Sequence, residues 1–233
     1  MAFTLVELLT VVAIIGILLA IIIPTAAAAR NSAKRVRTRI QFAQWATAIE
    51  NFRQEYGYYP IFDSSNLVNA RSPNPNAAGL HVFHDTLVGR RRDGSALPHN
   101  GGGDSVAESS PETQNPRLIP FIAFTEADLF PDTPADECAL SRNLLHDAFG
   151  NTQIAVLVDK NLDGVIKIDR AGCDYTTDQL PAVYPPDNTD LALKPSTSGI
   201  EPDILETGVR AGVIFYSAPP GVFSSDGLIK SWK

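Results

Sequence analysis

Asp159, Asn161 and Asp163 alternate along the chain, followed by Gly164 and Val165. Oxygen-bearing side chains at every second position of a bending segment aim at one point. A glycine allows the sharp turn, and the residue after it offers a backbone carbonyl. This is the first half of a calcium loop of the EF-hand type, with an apolar Ile166 following as in such loops. The second half departs from that pattern. The position for the bidentate acid, twelfth in the loop, holds Arg170, and the nearest acid is Asp169. A calcium shell would draw on Asp159, Asn161, Asp163, the Val165 carbonyl and either Asp169 or a distant aspartate. The competing reading is a β-turn held by Asx hydrogen bonds, which uses the same residues and no ion.

Other reactive side chains are sparse. His81 and His84 form an HxxH pair without a carboxylate or cysteine at an established zinc spacing, so they make a weak case for a metal. There is no Gly-x-Ser-x-Gly, no phosphate loop and no histidine beside a convincing nucleophile. The pattern points to a structural protein and not to an enzyme. Residues 1–60 carry six Lys and Arg against three Asp and Glu, while residues 61–233 carry thirteen against twenty-three. An acidic C-terminal part argues against nucleic acid as its partner.

One further acid stands out by its surroundings. Glu7 is the sole ionisable side chain in the 21 residues from Phe3 to Ile23. A helix of that length spans about 30 Å, enough for a hydrocarbon core. A charge deep in such a helix costs on the order of 2.5–3.5 kcal/mol on insertion scales. Glu7 therefore needs a partner, or it lies near the interface of a plain signal anchor and snorkels.

The stretch Phe3-Thr4-Leu5-Val6-Glu7-Leu8-Leu9, its apolar continuation and Pro24 resemble the N-terminus of type IV pilins and type II secretion pseudopilins. The resemblance implies cleavage between Ala2 and Phe3 by a prepilin peptidase and methylation of the new amino group on Phe3. Glu7 becomes the assembly glutamate that pairs with a neighbouring subunit's amine, and Pro24 the helix-bending proline. A buried carboxylate and a buried amine relieve each other's desolvation, which makes register part of assembly. Only Met1 and Ala2 precede Phe3, where the family usually has a basic leader ending in glycine. Tyr56-Gly57-Tyr58-Tyr59-Pro60 and Asp147-Ala148-Phe149-Gly150-Asn151 are similar to further pseudopilin turns. Major pseudopilins often hold a structural calcium in the C-terminal part of the head, which favours calcium at the Asp159 loop.

The resemblance places the head outside the cytoplasm, where Cys138 and Cys173 are expected to pair. Such a bridge closes a loop of about 35 residues and is worth roughly 3–4 kcal/mol by the chain-entropy model. The alternative is two separate thiols, and neither lies in a redox CxxC.

The elements that must position these groups follow from periodicity. Residues 1–24 read as a membrane and filament-core helix, 25–57 as its amphipathic continuation, and 58–233 as a head with loop insertions. Phe42, Trp45, Ile49, Phe52 and Tyr56 recur at spacings of 3, 4, 3 and 4, so they share one helix face. Gly57 suits a helix stop and Pro60 forbids continuation. Arg30, Lys34, Arg35, Arg37 and Arg39 form a basic cluster after the apolar run. It reads as a solvated face, as a contact with anionic headgroups or acidic neighbours, or as a nucleic-acid patch. Taken alone, that cluster would hold its side of the helix in the cytoplasm; the resemblance puts the head outside, and we follow it.

Residues 61–136 are rich in breakers, with a short helix or strand expected near 80–88 and a partly buried apolar run at 118–124. Strands are expected near 154–158, 209–217 and 228–232, and residues 174–207 read as a long surface excursion. The fold class is α+β: a long N-terminal helix packed on a small antiparallel β-sheet head with long loops.

The function implied is that of a filament subunit in an inner-membrane, single-pass chain, later part of a periplasmic or extracellular homo-oligomer. Its partners would be a prepilin peptidase, an inner-membrane assembly platform and membrane lipid. Rivals within the class are an adhesion, motility or DNA-uptake pilin and a minor tip subunit. Outside it stands a membrane-anchored periplasmic binding module or enzyme that does not polymerise.

Overall fold

The computed structural model describes residues 5–62, 66–69, 81–91, 94–97, 110–129, 144–169, 172–195 and 208–232. Helix α1 runs Leu5–Tyr56, 52 residues without interruption, and contains Pro24. The Thr25 hydroxyl, next to that proline, donates to the carbonyls of Ile21 and Ile22 at 3.1 and 2.9 Å. Hydroxyls of this kind satisfy themselves on the helix backbone where no water is at hand. The helix stops where expected: the Gly57 N–H donates to the Arg53 carbonyl at 2.7 Å. The chain divides into two compact units, Met1–Arg37 and Thr38–Lys233.

Within the second unit, three strands form an antiparallel sheet in the order β1 (Ile154–Val158), β2 (Val213–Ser217) and β3 (Ile229–Lys230). Ile154 faces Ser217 and Val158 faces Val213 across the first pair. The free edge of β1 is covered by residues 66–68, whose backbone bonds Ile154 and Val156 at 2.9 Å. That cover blunts an edge that would otherwise template further pairing.

Every residue of the three strands is buried, so neither face of the sheet meets solvent. One face carries Ile154, Val156, Val158, Val213, Phe215 and Ile229 against Phe42, Trp45, Ile49 and Phe52 of α1. Phe215 is the centre of that contact, 5.4 Å from the Phe42 ring and 5.7 Å from Trp45. Burying each such side chain is worth about 1.5–3 kcal/mol. This is the stripe that the helical spacing predicts.

The other face carries Ala155, Leu157, Ile214 and Tyr216 against Ile166, Tyr175, Leu180, Val183 and Leu193. Residues 174–195 are therefore a second covering layer, which corrects the surface excursion expected for them. Their apolar side chains are too widely spaced to show a period, yet a two-sided apolar sheet needs such a cover. Val183 and Leu193 close the layer on itself with paired 2.9 Å backbone bonds.

Two expected strands are shorter in the structure. Val209 leaves the sheet to exchange backbone bonds with Ile166, so β2 begins at Val213. β3 ends at Lys230, and Trp232 instead sets its ring edge-on to Tyr216 at 6.2 Å. Two short helices complete the head, α2 (Val82–Val88) and α3 (Pro111–Gln114). The first settles the helix-or-strand ambiguity near residue 84 in favour of helix.

Candidate functional site

In the first unit the apolar side chains of residues 5–23 are exposed throughout, from Leu5 at 79% to Ile23 at 66%. The segment is long and apolar enough to cross a membrane or to act as an N-terminal signal. Glu7 lies in its first turn and is exposed along with its neighbours. Ala2 and Phe3 lie outside the described residues.

The helix is fixed to the head at its other end. Tyr59 donates its hydroxyl to Glu50 Oε1 at 2.7 Å, while Arg53 reaches both Glu50 and the Tyr59 oxygen at 3.3 Å. Burial, followed by Glu50, pushes the Tyr59 phenol up to about 12. A β-carbon at Gly212 would sit 1.9 Å from that hydroxyl and 2.2 Å from Glu50 Oε1, so a larger residue there would displace the network. Two residues that showed no periodic signal complete the clamp. Gln114 exchanges hydrogen bonds with both backbone groups of Ile61 at 2.6 and 3.0 Å, and Asn115 accepts from the Tyr56 hydroxyl at 2.6 Å.

Two aspartate turns flank β1. At its start, Asp147 is buried and accepts from the Phe149 and Asn151 amides through Oδ1, at 2.8 and 3.0 Å, and from the Ser217 hydroxyl through Oδ2 at 2.8 Å. Burial pushes its carboxyl above the usual aspartate range against the pull of those bonds. Asn151 carries the turn outward, donating to the carbonyls of Tyr184 and Ala218. Thr38 of α1 accepts the Ala148 amide at 3.2 Å. One turn thus joins the helix, β2 and the second covering layer.

At the end of β1, Asp159 begins the loop singled out by its oxygen spacing. The residue is 2% exposed. Oδ2 accepts the Gly164 amide at 2.7 Å, whereas Oδ1 is buried with no hydrogen-bond partner. Asn161 Oδ1 accepts the Asp163 amide and Asp163 Oδ1 the Val165 amide, each at 3.0 Å, which are the Asx bonds of the ion-free reading. Lys167 pairs with Asp163 Oδ2 and holds that carboxyl below its ordinary range. Gly164 takes φ +83°, the left-handed turn the pattern requires.

Asp169 turns both oxygens to Thr177, accepting its amide at 2.8 Å and its hydroxyl. Among the described residues, no three His, Cys, Asp or Glu side chains gather on one point. The residue that organises the loop is Asp174, which the spacing did not single out. It accepts the amides of Lys160 and Asn161 through Oδ1 and that of Lys167 through Oδ2, at 2.9, 3.2 and 3.0 Å. Its neighbour Cys173 is a partly buried free thiol, and Cys138, its expected partner, lies outside the described residues. His84 is buried against Phe124 and shares a 2.8 Å hydrogen bond with Asp85.

Comparisons with protein-family models, with curated proteins and with solved structures return no match. A long, apolar N-terminal helix packed through its later turns on a small, open antiparallel sheet is consistent with a pilin-like fold in general.

Proposed function

We propose that this chain is a structural subunit of a type IV pilus-like or type II secretion pseudopilus filament, polymerising through α1. The observation that carries the reading is the exposed apolar surface of residues 5–23, in a chain whose second unit has buried cores of its own. So large an apolar surface demands cover, by lipid before assembly and by neighbouring helices after it. Glu7 then sets the register by meeting the amino group of an adjacent copy. The subunit starts as a single-pass inner-membrane protein, with its head outside the cytoplasm, and passes into the filament. No catalysis is part of this role.

Glu7→Ala tests it. A filament subunit loses assembly, read by electron microscopy of sheared filaments, while its membrane content stays unchanged. A membrane-anchored binding module keeps every measured property, and that outcome would sink the proposal.

Calcium at the Asp159 loop belongs to the same reading. Its support is the orphaned Asp159 Oδ1, a buried carboxylate oxygen without the donor that such atoms normally have. The ion would take that oxygen together with Asn161, Asp163 and the Val165 carbonyl, displacing Lys167 from Asp163. Asp169 would join only by leaving Thr177. The ion's part is to cross-brace the loop as a hard, oxygen-seeking cation.

A further inference from the structure

We propose that the Phe223 loop of one copy seats in a tyrosine-lined cleft of a second copy, joining heads end to end; this rests on the filament reading above. The cleft, of about 850 Å³, opens beside the Val158 end of β1, with Tyr58, Ile61, Phe62, Leu162, Tyr175 and Lys160 among its walls. Its rim is unusually apolar for a solvent-facing edge: Tyr58 is 39% exposed, Leu162 45% and Ile61 46%. Phe223 is the most exposed large apolar side chain among the described residues of the head, at 77%. An aromatic knob and an aromatic cleft, each left open, have matching chemistry.

Their places in the fold make the contact propagate. Val158 pairs with Val213 and Ile154 with Ser217, so the cleft lies at one end of the strands. Phe223 lies in the β2–β3 connection, beyond Ser217 at the other end. Different patches at opposite ends make a heterologous contact, which extends into a filament when its rotation does not close. The knob is also held in place. The preceding Val222 is buried, and the Gly221 amide donates to Asp187 at 2.8 Å.

Charge selects this pairing over others. Residues 61–233 carry twenty-three acids against thirteen bases, so heads repel one another at most orientations. In the cleft, however, the Lys160 ammonium lies 3.8 Å over the Tyr175 ring. Exposed Asp226 and Asp187 flank the knob. A cation in the cleft and acids beside the knob favour that register and disfavour its neighbours.

The test places photo-reactive benzoylphenylalanine at Phe223 in the full chain, in its native membrane, with isotope-labelled copies mixed in. The expected product is a dimer whose adduct maps to residues 58–62 or 160–162 of a differently labelled copy. Lys160→Glu should lower its yield severalfold, and Asp226→Lys in the same chain should restore it. The same probe at Leu8 in α1 reports assembly separately. Leu8 dimers without the Phe223 adduct, an adduct elsewhere on the second copy, or a yield indifferent to Lys160→Glu would each overturn the proposal and leave the filament reading intact. Loss of dimers from both positions would overturn both.

Discussion

Asp147 and Asp159 stand at the two ends of β1, both buried and both opening a turn that contains glycine, yet they are finished differently. Asp147 has each oxygen engaged, by two amides and a hydroxyl, and its turn reaches α1, β2 and the second covering layer. Asp159 has one oxygen engaged and one buried without a partner. A fully satisfied buried carboxylate acts as a structural joint, whereas a half-satisfied one keeps part of its desolvation cost unrelieved. The first turn joins three parts of the head, and the second keeps one buried carboxylate oxygen without a hydrogen-bond donor.

The largest effect expected from this contrast is at Asp147. Asp147→Ala strands two amides and a hydroxyl in the interior and should destabilise the head by about 3 kcal/mol, measured by urea denaturation. A loss below about 1 kcal/mol, the worth of one ordinary hydrogen bond, would show that the turn is not a joint. Calcium comes next. An excess of about a hundredfold over its dissociation constant should stabilise the wild type by about 2.7 kcal/mol, seen as a rise in melting temperature that a chelator reverses. Asp147→Asn should keep that response and Asp159→Asn should lose it. A response that survives Asp159→Asn places the ion elsewhere.

Without calcium, Asp159→Asn should cost only about 1 kcal/mol, because one of the two oxygens has no bond to lose. The smallest effect is a pH slope. The Asp147 carboxyl is raised in the folded state, so that state holds its proton more tightly than the unfolded chain. Its contribution is most favourable below the ordinary aspartate pKa and declines as pH rises from there through the raised folded value. Wild type should therefore lose stability relative to Asp147→Asn across that window. Parallel pH profiles for the two proteins would remove the burial argument.

Much of the framework was legible because it is local. The stripe Phe42, Trp45, Ile49, Phe52 reports a helix face by spacing alone, and β1 lies where its run of Ile, Val and Leu predicts. The Asp147 turn was visible as Asp-x-x-Gly-Asn, though not its bond to Ser217, 70 residues away. Asp159, Asn161 and Asp163 were visible as a loop, but Asp174, which holds that loop's amides, looked like any other acid in an acidic segment. Gln114 and Asn115 were hidden in the same way, as polar residues in a stretch without period. The cleft walls come from three separate segments, so no window of sequence contains them.

What the sequence by itself determined is the 52-residue helix with its exposed apolar run, its buried stripe, its stop at Gly57 and the position of the strands. These follow from backbone propensity and side-chain period, which act over one or two turns. Only the tertiary structure decided that the sheet is covered on both faces, that Val209 leaves β2 for Ile166, and that Asp169 serves Thr177 while Asp174 serves the loop. Each of those outcomes depends on which distant group packs against a buried donor or apolar face. Chain connectivity and packing settle that choice, and local sequence does not encode it.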